Sequence, residues 1–249
     1  MKRTVYLLII LFALVACVEE EKSDEITIFM AGDSTMADKP YRDGNPEKGW
    51  GHVFPLYFKE GVKIENHARN GRSTKTFIDE GRWDSIVGKL SNGDYVIIEF
   101  GHNDSKVNQP KRYAEANTDY ADNLRRFVND VREKGATPIL ATPVVRRHFE
   151  NGELIETHGD YPKAVKLVAE EMDVTLFDIH ASTRELVSRF GDELSKRLYL
   201  HIDTIEYLNM TKNKVDDTHL SSYGAFKICD IVKKEIETQV PELAKFLKK

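Results

Sequence analysis

Only two cysteines occur in the sequence, Cys17 and Cys229. The first closes an N-terminal apolar run, so everything after it carries one thiol and has no internal disulfide available. No Cys-x-x-Cys or His-Glu-x-x-His occurs. His52, His67, His102, His148, His158, His180 and His201 fall at no metal-ligand spacing, so neither a structural nor a catalytic zinc is expected. A glycine-rich phosphate loop is missing as well, and with it any support for cofactor chemistry. Basic residues are in the minority: 36 Lys and Arg against 41 Asp and Glu leave a net charge of -5. That balance excludes a general nucleic-acid binder, which needs excess cations facing the phosphates, but permits a local basic patch that receives an acidic polymer. Internal repeats and long linkers are also absent, which makes one catalytic domain the expectation.

What is present begins with a leader. Lys2 and Arg3 precede the apolar run from Val5 to Ala16, which is too short to span a bilayer as a helix and reads as a secretory signal over residues 1–16. Its ending, Leu14-Val15-Ala16-Cys17, resembles a bacterial lipobox, which implies cleavage before Cys17 and lipidation of that cysteine. Acyl chains there would anchor the protein to a membrane. Residues 17–25 are polar and acidic and read as a solvated tether. Such a tether resembles the surface signal of some Gram-negative lipoproteins, so the expected location is the bacterial outer membrane, on its periplasmic or its outer face.

From residue 26 onward, strand-like and helix-like segments alternate. The strand candidates are Ile26 to Ala31, Val62 to His67, Tyr95 to Phe100, Pro138 to Thr142 and Val174 to Ile179. Tyr120, Leu124, Phe127, Val128 and Val131 share one helical face ahead of Gly135, which ends the segment. Five apolar strands separated by helices imply a parallel sheet covered on both sides, with any ligand at the strands' carboxyl ends.

The chemistry-bearing residues fall at those ends. Gly32-Asp33-Ser34-Thr35-Met36 follows the first strand, and the glycine lets the chain turn so that Ser34 stands clear as a nucleophile. After the second strand comes Asn66-His67-Ala68-Arg69-Asn70-Gly71-Arg72-Ser73, where the amide of Gly71, unscreened by a side chain, can donate to an oxyanion. After the third comes Gly101-His102-Asn103-Asp104, where the Asn103 amide is a second donor. Near the C-terminus, Asp216-Asp217-Thr218-His219 precedes a helix capped by Ser221 or Ser222. A carboxylate three residues ahead of His219 can fold back onto its ring, and one two residues ahead, Asp217, is not excluded by local geometry. Arg146, Arg147 and His148 lie just past the fourth strand, at the rim where a ligand would arrive.

Taken together, Gly-Asp-Ser, then Gly, then Asn, then Asp-x-x-His resembles the four blocks of the SGNH (GDSL-type) hydrolases, over most of the exported domain at residues 26–249. The blocks at 31–36, 49–51, 68–73 and 101–104 are most similar to those of rhamnogalacturonan acetylesterases. Thr35-Met36 replaces the Ser-Leu of the founding lipases, which turns the expectation away from long-chain lipids. The resemblance implies a flavodoxin-like α/β/α sandwich with a five-stranded parallel sheet. It assigns Ser34, Asp216 and His219 to a triad, and the Ser34 amide, Gly71 and Asn103 to an oxyanion hole. It implies no metal and no cofactor, and an acetylated pectic polysaccharide as partner. A xylan acetylesterase would share every one of these residues, and a non-catalytic carbohydrate-binding lipoprotein would tolerate the loss of Ser34.

Overall fold

The computed structural model describes residues 26–41 and 44–249. The expected leader at 1–16, Cys17 and the rest of the tether to residue 25 lie outside the described residues.

Five strands form one parallel sheet: β1 (Thr27–Gly32), β2 (Lys63–Asn66), β3 (Tyr95–Glu99), β4 (Thr137–Ala141) and, after a small hairpin of β5 (Phe149–Glu150) and β6 (Glu153–Leu154), β7 (Thr175–Phe177). Their order is β2-β1-β3-β4-β7, with every neighbouring pair parallel. This is the flavodoxin-like order, whose switch point falls beside β1. The five apolar runs are these five strands, each displaced from its expected ends by two residues at most. The hairpin is the departure: residues 149–154 carry no apolar run and are mostly exposed.

Helices cover both faces. On one lie α2 (Thr74–Asp79), α3 (Arg82–Val87), α4 (Ala121–Glu133) and α5 (Tyr161–Glu171). On the other lie α1 (Trp50–Val53), α6 (Ile179–Ser195), α7 (Ser222–Gln239) and α8 (Pro241–Ala244). Alternation along each strand sorts the core into two layers. Ile28, Met30, Ile97 and Ile139 pack against Ile228, Cys229, Val232 and Ile236 of α7. Phe29, Ala31, Val96, Ile98 and Leu140 pack against Leu124, Phe127, Val128 and Val131 of α4. In α4 those four positions form one stripe spaced i, i+3, i+4, i+7, and all are buried. Phe127 stacks on Trp83 with ring centroids 4.1 Å apart. Truncating it to Ala would cost about 3–5 kcal/mol, so this stripe is where one change would most weaken the layer.

Both strand faces being buried, the strands offer only their ends for chemistry. The register sets Gly32 opposite Glu99. Hence the exits of β2 and β3 flank the exit of β1, and three candidate loops meet at one edge.

Candidate active site

The Asp33 to Ala37 turn leaves β1 and is closed by the Ala37 amide donating to the Asp33 carbonyl at 3.0 Å. From behind, the Trp50 amide donates to the Thr35 carbonyl at 2.8 Å. Gly49 permits that approach, because a Cβ there would lie 2.1 Å from the Ala37 carbonyl oxygen. Underneath, Thr35 donates its amide to Asp33 Oδ1 at 3.0 Å. The Thr35 hydroxyl lies 3.0 Å from both Asp33 Oδ1 and Glu99 Oε1. A hydroxyl has one proton to give, so two ionised carboxylates would compete for it. Burial, and then the charge of Asp33, push Glu99 up to about 8 and keep it protonated at neutral pH. Burial also opposes the charge on Asp33, but His102 and both Thr35 donors hold that carboxyl low, at about 2.

His219 arrives from the opposite side. The Asp216 carboxylate accepts from the amides of Thr218 at 3.0 Å and His219 at 2.9 Å, which curls the loop back on itself. Its second oxygen lies 2.8 Å from His219 Nδ1, and His219 Nε2 lies 3.0 Å from Ser34 Oγ. Ser221 then caps α7 by accepting from the Gly224 amide at 3.0 Å. Burial works against the Asp216 charge, yet the bonds from His219 hold its carboxyl far below the usual range. Asp217 faces elsewhere: it accepts from Arg147 at 2.8 Å and lies 2.7 Å from His201 Nε2. Of the two neighbouring carboxylates, Asp216 therefore meets His219.

The flanking loops are tied to this centre and to each other. The Arg69 amide donates to the Gly32 carbonyl at 3.0 Å, drawing the β2 loop against the start of the Ser34 turn. Gly71 has φ +76, and the Arg112 guanidinium covers it so closely that a Cβ would lie 3.2 Å from Nη2. Asn103 is buried; it donates one Nδ2 proton to the Arg72 carbonyl at 3.0 Å, which leaves the other free to donate. Asp104 Oδ1 accepts from the Thr74 amide at 2.9 Å and hydroxyl at 2.6 Å, joining the β3 loop to the start of α2. Burial pushes Asp104 up to about 7.

Comparison with known proteins places this arrangement. Residues 30–222 match the model of the GDSL-like Lipase/Acylhydrolase family. The chain belongs to that family. This GDSL-like hydrolase is 42% identical over 213 residues to the rhamnogalacturonan acetylesterase RhgT of Bacillus subtilis, spanning 85% of this chain and 90% of that one. Among solved structures, the protein YxiM of Bacillus subtilis superposes with a TM-score of 0.71 at 23% identity. That alignment spans 86% of this chain and just over half, 57%, of YxiM. An acetylxylan esterase of Geobacillus stearothermophilus superposes with a TM-score of 0.63 at 19% identity, covering 86% of this chain and 95% of that one. Structures this distant share the fold. Membership makes the chain a carboxylic ester hydrolase.

The GDSL-like hydrolase treats its expected rim residues differently. Arg147 is 6% exposed and its guanidinium is spent inside the protein, on Asp192, Asp217 and Ser195 Oγ at 3.1 Å. The expectation that it meets substrate is corrected, because Asp217 and Asp192 turn it inward. His148 is exposed on the hairpin side and lies 3.1 Å from Glu150. Arg146 stays by the site, donating to the carbonyls of His102 and Thr157 at 3.0 Å each. Two cations that sequence reasoning missed join it. Lys106 donates to Asn103 Oδ1 at 2.9 Å, and Arg112 covers Gly71. Burial, then the nearness of Arg112 and Arg146, lower the Lys106 ammonium below its ordinary value. The signal was present as three basic residues in 106–112, directly after the Asn103 block.

Proposed function

We propose that this hydrolase is a serine carbohydrate esterase that removes O-acetyl groups from pectic rhamnogalacturonan. Ser34 Oγ attacks the acetyl carbonyl as His219 Nε2 takes its proton, with Nδ1–H held by Asp216. The tetrahedral oxyanion is met by the Ser34 and Gly71 amides and by the free proton of Asn103 Nδ2. His219 returns its proton to the departing sugar oxygen, and water, activated by the same imidazole, releases acetate from Ser34. The observation that carries the esterase reading is the unbroken line Asp216, His219, Ser34 at 2.8 and 3.0 Å.

The pectic assignment draws on a second feature. Lys106, Arg112 and Arg146 ring the oxyanion residues in a chain whose net charge is -5. A neutral acetylated xylan has no use for that ring, whereas galacturonate carboxylates do. The 42% identity to RhgT supports the same substrate. Acetate release from acetylated rhamnogalacturonan and acetylated xylan, side by side, tests the reading. Preference for the pectic polymer that falls with added salt supports it; equal rates on both, insensitive to salt, overturn the pectic assignment. We also propose export and anchoring through a lipidated Cys17. Cys17→Ser should abolish labelling by a fatty-acid probe in the native cell, and unchanged labelling rejects the anchor.

A further inference from the structure

Behind the β3 loop, three imidazoles lie edge to face in a row. His102 and His158 have ring centroids 4.6 Å apart, and His158 and His180 5.1 Å apart. The row ends at Glu156. His158 is 1% exposed, and among the described residues neither of its ring nitrogens has a hydrogen-bond partner. A buried imidazole left in that state carries an uncompensated desolvation cost.

Its surroundings have the composition of a ligand set. His180 Nδ1 lies 3.0 Å from the Pro143 carbonyl, which can only accept, so Nδ1 carries a proton. His180 Nε2 then faces Glu156 Oε2 at 2.7 Å. Glu156 Oε1 accepts the His158 amide at 2.6 Å and lies 3.7 Å from His158 Nδ1. One donor atom from each of Glu156, His158 and His180 lies within 4.8 Å of the others. Ligands about 2.0–2.2 Å from a tetrahedral ion stand about 3.3–3.6 Å apart, so modest side-chain movement closes this set. An imidazole whose far nitrogen donates to a backbone carbonyl is the usual outer support of a metal-bound histidine. Two imidazoles and one carboxylate suit Zn²⁺ and its neighbours better than Ca²⁺ or Mg²⁺.

Two cations also face the group. Arg184 Nη1 stands 3.8 Å from Glu156 Oε2, beyond hydrogen-bond reach, and its Nη2 donates to the Leu154 carbonyl. Arg146 donates to the Thr157 carbonyl. Neither occupies the lone pairs that face His158. A proton shared by His180 and Glu156 would account for their own approach, but it leaves His158 unpartnered.

We propose that Glu156, His158 and His180 bind one divalent transition-metal ion of the Zn²⁺ class. The ion would tie the 155–158 loop to the start of α6 and leave a fourth position toward solvent, where Glu156 is 42% exposed. The site is structural and separate from the ester chemistry, so its failure would leave the esterase reading untouched.

The test is titration of the chelator-treated full chain with ZnCl₂ by calorimetry and with CoCl₂ by visible absorption. One equivalent should bind, Co²⁺ should give the intense bands of a four-coordinate site, and Zn²⁺ should raise the melting temperature. Glu156→Gln and His180→Asn should each weaken binding at least tenfold and abolish the melting shift. Six-coordinate Co²⁺ spectra, or equal binding by parent and variants, would mark the ion as adventitious and overturn the proposal. So would loss of binding on His219→Ala instead. Should a variant not fold, crystals of the parent protein with one equivalent of Zn²⁺ decide the matter. An anomalous peak between the three side chains upholds the site, and a peak elsewhere or none rejects it.

Discussion

Two aspartate-histidine pairs flank Ser34, one on each side, and they are built differently. The outer pair, Asp216 and His219, is aligned: 2.8 Å between carboxylate and Nδ1, and Nε2 passes on to Ser34 Oγ at 3.0 Å. The inner pair, Asp33 and His102, lies 3.2 Å apart in full burial, and among the described residues neither Asp33 Oδ2 nor either ring nitrogen of His102 completes a hydrogen bond. Burial holds the His102 imidazole below its ordinary pKa, toward the neutral form. The same two residue types thus give, on one side, a ring poised to exchange a proton with a hydroxyl and open to solvent at 31%. On the other they give a fixed negative charge under a turn. Alignment and exposure, rather than identity, separate a proton relay from a packing element.

The largest test of that contrast is Asp216→Asn. It removes the acceptor for Nδ1–H and should lower kcat by up to about 10,000-fold, the loss seen when a triad acid no longer fixes the tautomer. Asp217→Asn should leave kcat near the parent value while lowering stability by roughly 1–3 kcal/mol, because buried Arg147 loses the charge of a carboxylate partner and keeps only a neutral acceptor. Chromogenic acetyl-ester kinetics and urea melts check both, and a larger kcat loss at Asp217 breaks the comparison. Next comes Asn103→Ala, which deletes a donor on the side of the inner pair. A fall in turnover of about 100- to 1,000-fold with little change in KM is expected. An effect confined to KM would assign Asn103 to binding.

His102→Asn sharpens the contrast from within. It should cost roughly 1–3 kcal/mol in stability, measured by urea unfolding, and far less turnover than Asp216→Asn. A matching loss of turnover would make the inner pair a second relay. The smallest effect concerns Asp104, on the loop that carries His102. A carboxyl pushed up to about 7 from 3.8 binds a proton in the folded state that the unfolded chain has released. Its contribution to stability is therefore present below about pH 4 and is lost as pH rises through 7. Asp104→Asn keeps the Oδ1 acceptor for Thr74 and should flatten that decline by at most about 1.4 kcal/mol per pH unit, the slope of one proton. The decline left over should run on toward pH 8, where Glu99 ionises. Stability curves of the parent and of Asp104→Asn that run parallel across pH 5–7 contradict the assignment.

How much of this was legible depended on how far each residue's partner lies along the chain. The sheet could be read because each strand is buried on both faces, which forces a continuous apolar run such as Val96 to Ile98. The α4 stripe and the Ser221 cap are local patterns, and both stand where the periodicity and the cap residue put them. The first three site blocks could be read because each sits directly after a strand, β1, β2 or β3, and the Asp216 to His219 block because it stands just ahead of the capped start of α7. Between Asp216 and Asp217 the three-residue spacing favoured Asp216 without excluding Asp217, since what holds Asp217 away is Arg147, 70 positions distant. For the same reason Arg147 looked like a free rim cation. Glu156, His158 and His180 carry no local signature, because they converge only when α6 folds back on the loop before α5.

The buried thiol of Cys229 has a use of its own. Cys229 Sγ donates to the Trp50 carbonyl at 3.1 Å, and burial lifts its pKa well above the ordinary thiol value. The thiolate that alkylating reagents need is therefore suppressed while α1 and α7 stay in contact. Trp50 is also the residue whose amide holds the Ser34 turn from behind, so one packing contact guards both groups. Pulsed alkylation at Cys229 accordingly serves as a clock for separation of that contact, read on the native side chain without any introduced label.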